Sequence, residues 1–492
     1  AGLSKFENGE AYIDLLKDQL MDSYDKLNVN YLSGENPYLT IRNDGRPSIR
    51  TPRTDYDQTQ FISNTLSKNG YVPVVQILRE IDKHSQFTSN FIHFSNKNVK
   101  MKPKAETIFA GIMDKGCNIG TSKLANISKG ISENVLVNTI NWCFDLKNIQ
   151  NANKSIVSIM DKLFLANAYK HDESILHSSS DGKKVGVAVD SLHANYSFKY
   201  FGKDMGVAMY TFIDERQALF HSTVISSSDR EAPYVIDGLL HNDVKENRVH
   251  STDTHGFSET VFAATHLIDT AFAPRFKRIG HQTIYSFSTR KTHKNCGHVI
   301  LPSRTINRKL IEDNWDDILR FMATIKLGYS TASQLFKRLS SYAKDHPLYK
   351  ALKEFGRIIK SQYILTYYND VSLRQRVQKQ LNRVELSNRF SDAVFFDNDK
   401  EFQVGLQEDQ EVATACKVLI QNAIILWNYL YLSDLVMNAA DEDEKTTILE
   451  SIKQGSVITW KHVNMRGQYD FTRAAANDEH FDFEKILSFK IK

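Results

Sequence analysis

Cysteine is scarce in this sequence. Four stand in 492 residues, Cys117, Cys143, Cys296 and Cys416, none in a CxxC pair. That spacing excludes a disulfide framework and a zinc ribbon, and it fits a reducing cytosol. Long apolar runs are missing as well. The most apolar stretch, Val418 to Val436, is broken by Gln421, Asn422, Asn428 and Asp434, which predicts a buried core helix rather than a membrane span. The first residues lack a secretory pattern. The chain opens at Ala1 rather than methionine, which suggests a processed or shortened product. Internal repeats and low-complexity tracts are absent. So are aspartate and glutamate from Ala271 to Ile311, a span that holds nine Lys/Arg.

What is present is ordinary for a soluble chain: 41% apolar and 24% charged residues, with a net charge of +4. The length allows about two to four domains. Residues 1–30 have helical spacing, and Asn36 to Thr54, with three prolines and four arginines, reads as a linker or extended arm. Helical patterns run from Tyr71 to about Tyr169. Near Ser174 the character changes to alternation, with Val185, Val187 and Val189 on one face. GVAMYTFID and LFHSTVIS continue as strands. A helix through DREAPYVIDGLLH, a strand RVHSTD, a helix SETVFAATHLIDTAF and a strand FAPRF follow. An antiparallel meander and then strands alternating with helices is the order of an α/β ribonuclease-H-like core. Beyond Asp313 the chain is helical to about Asn438, and DEDEK (Asp441 to Lys445) reads as a solvated loop or helix start.

The domains expected are an N-terminal helix and basic linker (1–60), a helical domain (61–170), the first part of the core (171–312), a helical insertion (313–370), a catalytic helix with C-terminal core helices (371–438) and a tail (439–492).

Carboxylates carry the chemistry in such a core. Asp253, in HSTDTHG, falls at the end of a strand among small residues, where it can bind Mg²⁺ or merely cap the next helix. A metal site needs partners. Asp181, in SSSDGKK, and Asp190, ending KVGVAVD, both qualify, and spacing does not choose between them. A third carboxylate is expected on a later helix. Glu385 in LNRVELSNRFSDAVFF has Arg389 at i,i+4 and Asn382 and Asn388 on nearby faces, and the plain alternative is a surface glutamate.

The acid-free stripe contains Arg275, Lys277, Arg278, Arg290, Lys291, Lys294, Arg304, Arg308 and Lys309. It suits DNA phosphates, with a basic solvated loop as its alternative. Arg374, Arg376, Lys379 and Arg383 lead into Glu385 and are placed to hold a DNA strand. Tyr285 and Phe287 alternate like core residues and are less suited to base stacking. His293, Cys296 and His298 lack a fourth zinc ligand. His255 is a candidate for hydrogen bonding a phosphate, or an ordinary helix-start histidine. GKK after Asp181 lacks the rest of a P-loop.

Several stretches in order resemble the C-terminal half of the replicative transposases of the Tn-three family: SSSDGKK, KYFGKDMGVAMYTFIDE, EAPYVIDGLLH…HSTDTHGFSETVFAATHLIDTAFAPR, and FGRIIKSQYILTYYNDVSLRQRVQKQLNRVELSNRFSDAVFF. AIILWNYLYL and ITWKHVNMRGQYDF are similar to that family's tail. The resemblance covers about residues 60–475. It implies a DDE triad on a ribonuclease-H-like fold with a large helical insertion, flanked by helical regions. By motif the triad falls on Asp181, Asp253 and Glu385, leaving Asp190 a structural role. The resemblance further implies two Mg²⁺ ions (Mn²⁺ substituting), cleavage of transposon 3′ ends, strand transfer into target DNA, cointegrate formation, a homodimer, and a place in the bacterial cytoplasm at the nucleoid. Members are longer at the N-terminus, where they recognise transposon ends. The rival readings are a non-catalytic DNA-binding scaffold and a nuclease of the same fold that does not join strands.

Overall fold

The structure, a computed structural model, describes residues 2–53, 57–68, 70–95, 102–240, 247–254, 256–341, 346–472 and 481–490. It has two compact units. The first comprises Ala1–Thr54 and Arg230–Leu381, the second Asp55–Asp229 and Asn382–Lys492. The elements that hold the candidate residues and their supports are, in chain order, α1 (Gly9–Leu32), α2 (Leu146–Met160), β1 (Leu176–Gly186), β2 (Met205–Asp214), β3 (Leu219–Ser226), β4 (Asn247–Ser251), α3 (Glu259–Leu267), β5 (Ala271–Phe272), α4 (Pro347–Asn369), α5 (Val371–Val394) and α6 (Gln407–Met437).

In the second unit β1, β2 and β3 form the expected antiparallel meander. Asp181 of β1 stands opposite Thr211 of β2, and Tyr210 of β2 opposite Thr223 of β3. After its first residue β2 is buried throughout, as a strand covered on both faces must be. The alternation read through Val189 stops sooner. β1 ends at Gly186, Val187 makes a single bridge to Phe402, and Val189 is exposed.

The apolar stretch from Val418 lies within α6, and it is a core helix. Its polar residues explain how it stays buried. The Asn422 amide donates to the Leu219 carbonyl (2.7 Å) and to Asn153 of α2 (2.8 Å), and its oxygen accepts from the Leu219 N–H (3.0 Å). Asn428 donates to the carbonyls of Val457 and Thr459. Buried amides satisfied in this way are tolerated in a core. No described helix is long and apolar enough to cross a membrane. The DEDEK run starts a helix: the Asp441 side chain accepts from the Glu444 N–H, and three acids occupy the first turn, where the helix dipole favours them.

In the first unit β4 and β5 pair in parallel, Val249 opposite Ala271, with α3 as the crossover between them. α1 buries Ile13, Leu16, Leu20, Tyr24 and Leu27, a stripe at helical spacing. Residues 36–53 differ from the linker expected of their prolines and arginines. Leu39–Ile41 and Pro47–Ile49 pair as a hairpin, and Asn36 donates to the Tyr368 carbonyl at the end of α4 (2.8 Å).

α3 and α4 approach closely at Gly356. A Cβ there would lie 1.7 Å from the Glu259 carbonyl oxygen. Gly356→Ala is expected to cost about 1–3 kcal/mol, read as a lower urea midpoint. An unchanged midpoint would show that the two helices can part freely.

Candidate active site

In the second unit the strand bearing Asp181 is fastened to the helix bearing Glu385. The Asn388 amide donates to Asp181 Oδ2 at 2.8 Å. Asn388 lies three residues beyond Glu385 on α5, so both share one helical face. Lys183, two residues past Asp181 and therefore on its side of β1, donates to the Asn388 carbonyl (3.4 Å) and pairs with Asp392. Burial lowers the Lys183 pKa, and the Asp392 carboxylate opposes that shift. Asp181 is half-buried, and Glu385 is exposed on α5. Asp190 lies beyond the strand and is exposed.

In the first unit Asp253 follows the end of β4 in a turn held from both sides. The Arg275 N–H donates to the Thr252 carbonyl (2.9 Å), the Thr254 hydroxyl to the Arg275 carbonyl (3.2 Å), and the Lys277 N–H to the Thr254 hydroxyl (3.1 Å). Gly256 is required there, since a Cβ would lie 2.7 Å from the Thr252 Cβ. Asp253 is half-buried. It is not the helix cap: Ser258 fills that role, its hydroxyl accepting from the Val261 N–H. Burial drives the His250 pKa down to about 3, which makes it a neutral core histidine. His255 lies outside the described residues.

These hydrogen bonds join the start of the basic stripe to the Asp253 turn. Lys277, Arg278, Arg290, Lys291, Lys294 and Arg304 are exposed, and half-buried Arg275 donates to Gln378 (3.3 Å). Arg308 is held by Asp14 and Glu312. On α5, Lys379 and Arg389 are exposed and Arg376 is half-buried.

Two arginines expected to meet DNA are structural instead. Arg374 is 1% exposed, its guanidinium donating to the carbonyls of Tyr367, Tyr368 and Arg50. Arg383 is buried beside Glu215 and over the Tyr169 ring. The planar, five-donor head of arginine suits such buried sites as well as phosphates, and sequence does not separate the two uses.

Tyr285 is core, 5% exposed. His293 and His298 bond to each other through their Nδ1 atoms (2.8 Å), and His298 also reaches Asp25. Cys296 is exposed and free. The pair is a hydrogen-bonded relay and not half of a zinc site.

Among the described residues, no group of three or more His, Cys, Asp or Glu is gathered to hold a metal ion. The fit of Asp181, Asp253 and Glu385 to a cation rests on donor chemistry. All three offer hard oxygens, the ligands that Mg²⁺ prefers, and carboxylates repel one another until a cation joins them.

Residues 76–469 match the family model for the Tn3 transposase DDE domain. The chain belongs to that family. As a DDE domain it has a ribonuclease-H-like core, in keeping with the meander of the second unit and the parallel β4–β5 pair of the first. Relatives with which this DDE domain is aligned include the transposase for transposon Tn1546 of Enterococcus faecium, 30% identical over 85% of this chain and 40% of that one. The transposase for transposon Tn2501 of Escherichia coli is 30% identical over 93% of this chain and 46% of its own length. The transposase for transposon gamma-delta of Escherichia coli (strain K12) is 28% identical over 82% and 40%. The chain thus spans less than half the length of these curated relatives.

Asp181, Asp253 and Glu385 all fall inside the matched stretch. The supports around them, Lys183 and Asp392, were not singled out from sequence. Their signal was spacing: Lys183 is two residues from Asp181 along a strand, and Asp392 is seven from Glu385 along a helix.

Proposed function

We propose that this chain is the catalytic part of a DNA transposase that cleaves the 3′ ends of its transposon and transfers them into target DNA. The observation that carries the reading is the hydrogen bond from Asn388 to Asp181. It fastens the strand of one motif carboxylate to the helix face of another, in a chain of the DDE domain family. Asp181, Asp253 and Glu385 would hold two Mg²⁺ ions, with Mn²⁺ able to substitute. When bound, such ions activate the attacking oxygen and stabilise the departing one.

The chain's own residues orient and neutralise. Asn388 fixes the rotamer of Asp181. The Thr252–Gly256 turn presents Asp253. Arg275, Lys277, Arg278, Arg290, Lys291, Lys294, Arg304, Arg376, Lys379 and Arg389 offset phosphate charge, giving affinity that falls with salt. The helices between Arg308 and Asn369 form the insertion that separates Asp253 from Glu385. Transposon ends and target DNA are the partners, the working assembly is a homodimer, and the outcome is a replicative cointegrate.

The test is a labelled transposon-end duplex incubated with the chain and Mg²⁺. Cleaved ends joined to target DNA are the expected products. Cleavage without joining would make the chain a nuclease of the same fold, and binding without cleavage would make it a scaffold.

A further inference from the structure

Between β1 and β2 of the second unit, the chain presents large aromatic side chains to solvent. Tyr196 is 67% exposed, Phe198 86% and Tyr200 50%. Isolated exposed aromatics need no explanation, but three at alternate positions of one loop form a patch.

The patch does not come from a loose loop. The Ser191 hydroxyl donates to the Gly405 carbonyl (2.7 Å) and accepts from the N–H groups of His193 and Ala194. His193 reaches the Val224 carbonyl (3.1 Å). Asn195–Tyr196 pairs with Met205–Gly206 of β2. Phe201 lies against Gly206, where a Cβ would fall 2.2 Å from its ring. The backbone and Phe201 are thus anchored while the three other rings face outward.

The charge around these rings is positive. Lys199 and Lys184 lie 4.6 and 5.9 Å from the Tyr200 ring centroid. Lys203 follows in the same loop, and Asp204 is the one acid in residues 192–204. Rings interleaved with lysines favour a polyanion that carries flat apolar faces. Unpaired nucleic acid has both, whereas duplex DNA keeps its base faces stacked inside.

We propose that Tyr196, Phe198 and Tyr200, with Lys184, Lys199 and Lys203, form a stacking platform for unpaired DNA bases. This rests on the reading that the chain acts on DNA. Lys184 is three residues from Asp181 on the same strand, about 10 Å at the strand rise. A DNA strand covers that distance in about three nucleotides. The platform would therefore grip an unpaired strand a few nucleotides from the Asp181 position, where a cut end has lost its partner.

The test compares binding of two labelled end duplexes, one blunt and one with a single-stranded thymidine tail, to the chain and to its Tyr196→Ala/Phe198→Ala/Tyr200→Ala variant. The side chains are exposed, so the variant keeps the fold. The tail should tighten wild-type binding about tenfold, the worth of about one stacked base. The triple variant should lose that gain with blunt-duplex affinity unchanged, and Phe198→Trp should retain it. Equal wild-type affinity for the two duplexes would overturn the platform, as would a loss in the variant that is the same on both. A variant that alters only the oligomeric mass would make the patch an interface between copies. If blunt-duplex binding and cleavage persist without a tail effect, the transposase reading stands and the platform falls. If wild type binds neither duplex, both fall.

Discussion

Asp253→Asn should abolish strand cleavage and joining, by about a thousandfold or more, while the protein melts as wild type does. Direct stabilisation of a phosphoryl oxygen by a metal ion contributes several kcal/mol, and each 1.36 kcal/mol is tenfold in rate. The substitution is nearly isosteric, and the fold does not depend on the charge. Ser258 caps α3, and the turn is held by Thr252, Thr254 and the backbone of Arg275 and Lys277. Glu385→Gln, on an exposed position of α5, should behave in the same way. Asp181→Asn is the stricter case, since the new side-chain amide keeps an oxygen to accept from Asn388 and loses only the charge. It should remain folded and be inactive. Asp190→Asn, on an exposed carboxylate beyond the strand, should act as wild type. Product formation on the labelled duplex and a melting curve for each variant decide the matter. Activity in Asp181→Asn together with loss in Asp190→Asn would move the first motif aspartate to Asp190. Activity in Asp253→Asn would remove that residue from the site.

The parts of this fold legible in the sequence are those where burial leaves a period. β2 and β3 are readable because GVAMYTFID and LFHSTVIS are β-rich runs bounded by turn residues. α6 is readable because its asparagines and glutamine exclude a bilayer while its length excludes a strand. The hairpin at residues 36–53 is not readable. Its strands are three residues each, too short for alternation to register, and what orders it lies far along the chain, at Tyr368, Asn369 and Arg374.

The same limit governs the site. Individual carboxylates can be nominated by motif, and their supports cannot. Asn388 meets Asp181 across 207 residues of sequence, a contact that no local spacing announces. Charge is the least legible property. Arg374 and Lys379 look alike in sequence, yet one is buried under carbonyls and the other exposed, because α5 turns alternate faces inward.

Lys417→Met should stabilise the protein most at pH 7 and below, by a few kcal/mol, with the gain fading as the pH rises toward 10. Lys417 lies in the middle of α6, 1% exposed, and its ammonium nitrogen reaches the Met209 sulfur at 3.5 Å. Burial lowers its pKa from 10.5 to about 7; Lys183 adds to the shift and Asp392 opposes it. Between pH 7 and 10.5 the unfolded chain therefore holds a proton that the folded chain has released. Stability rises with pH across that window and is lowest, for this group, below it.

Glu411, in the first part of the same helix, acts in the opposite sense. Its carboxylate accepts from the Thr223 hydroxyl and the Val224 N–H at β3, and burial raises its pKa from 4.5 to about 7. The folded state then holds the extra proton between pH 4.5 and 7, so stability falls with rising pH there. Water reaches its partly exposed side chain and makes this arm the shallower one. Together the two groups place a minimum of stability near neutral pH, with the steeper rise on the alkaline side.

Urea unfolding at pH 5, 7 and 9 would show it. Wild type should be more stable at pH 9 than at pH 7, and Lys417→Met should lose that difference. Glu411→Gln should lose the rise toward pH 5 instead. Methionine fills nearly the volume of the lysine stem without a charge to desolvate, so a gain at pH 7 would come from the ammonium and not from repacking. Equal slopes for wild type and Lys417→Met would show that Lys417 keeps an ordinary proton affinity, through a path to water or to the Asp392 carboxylate.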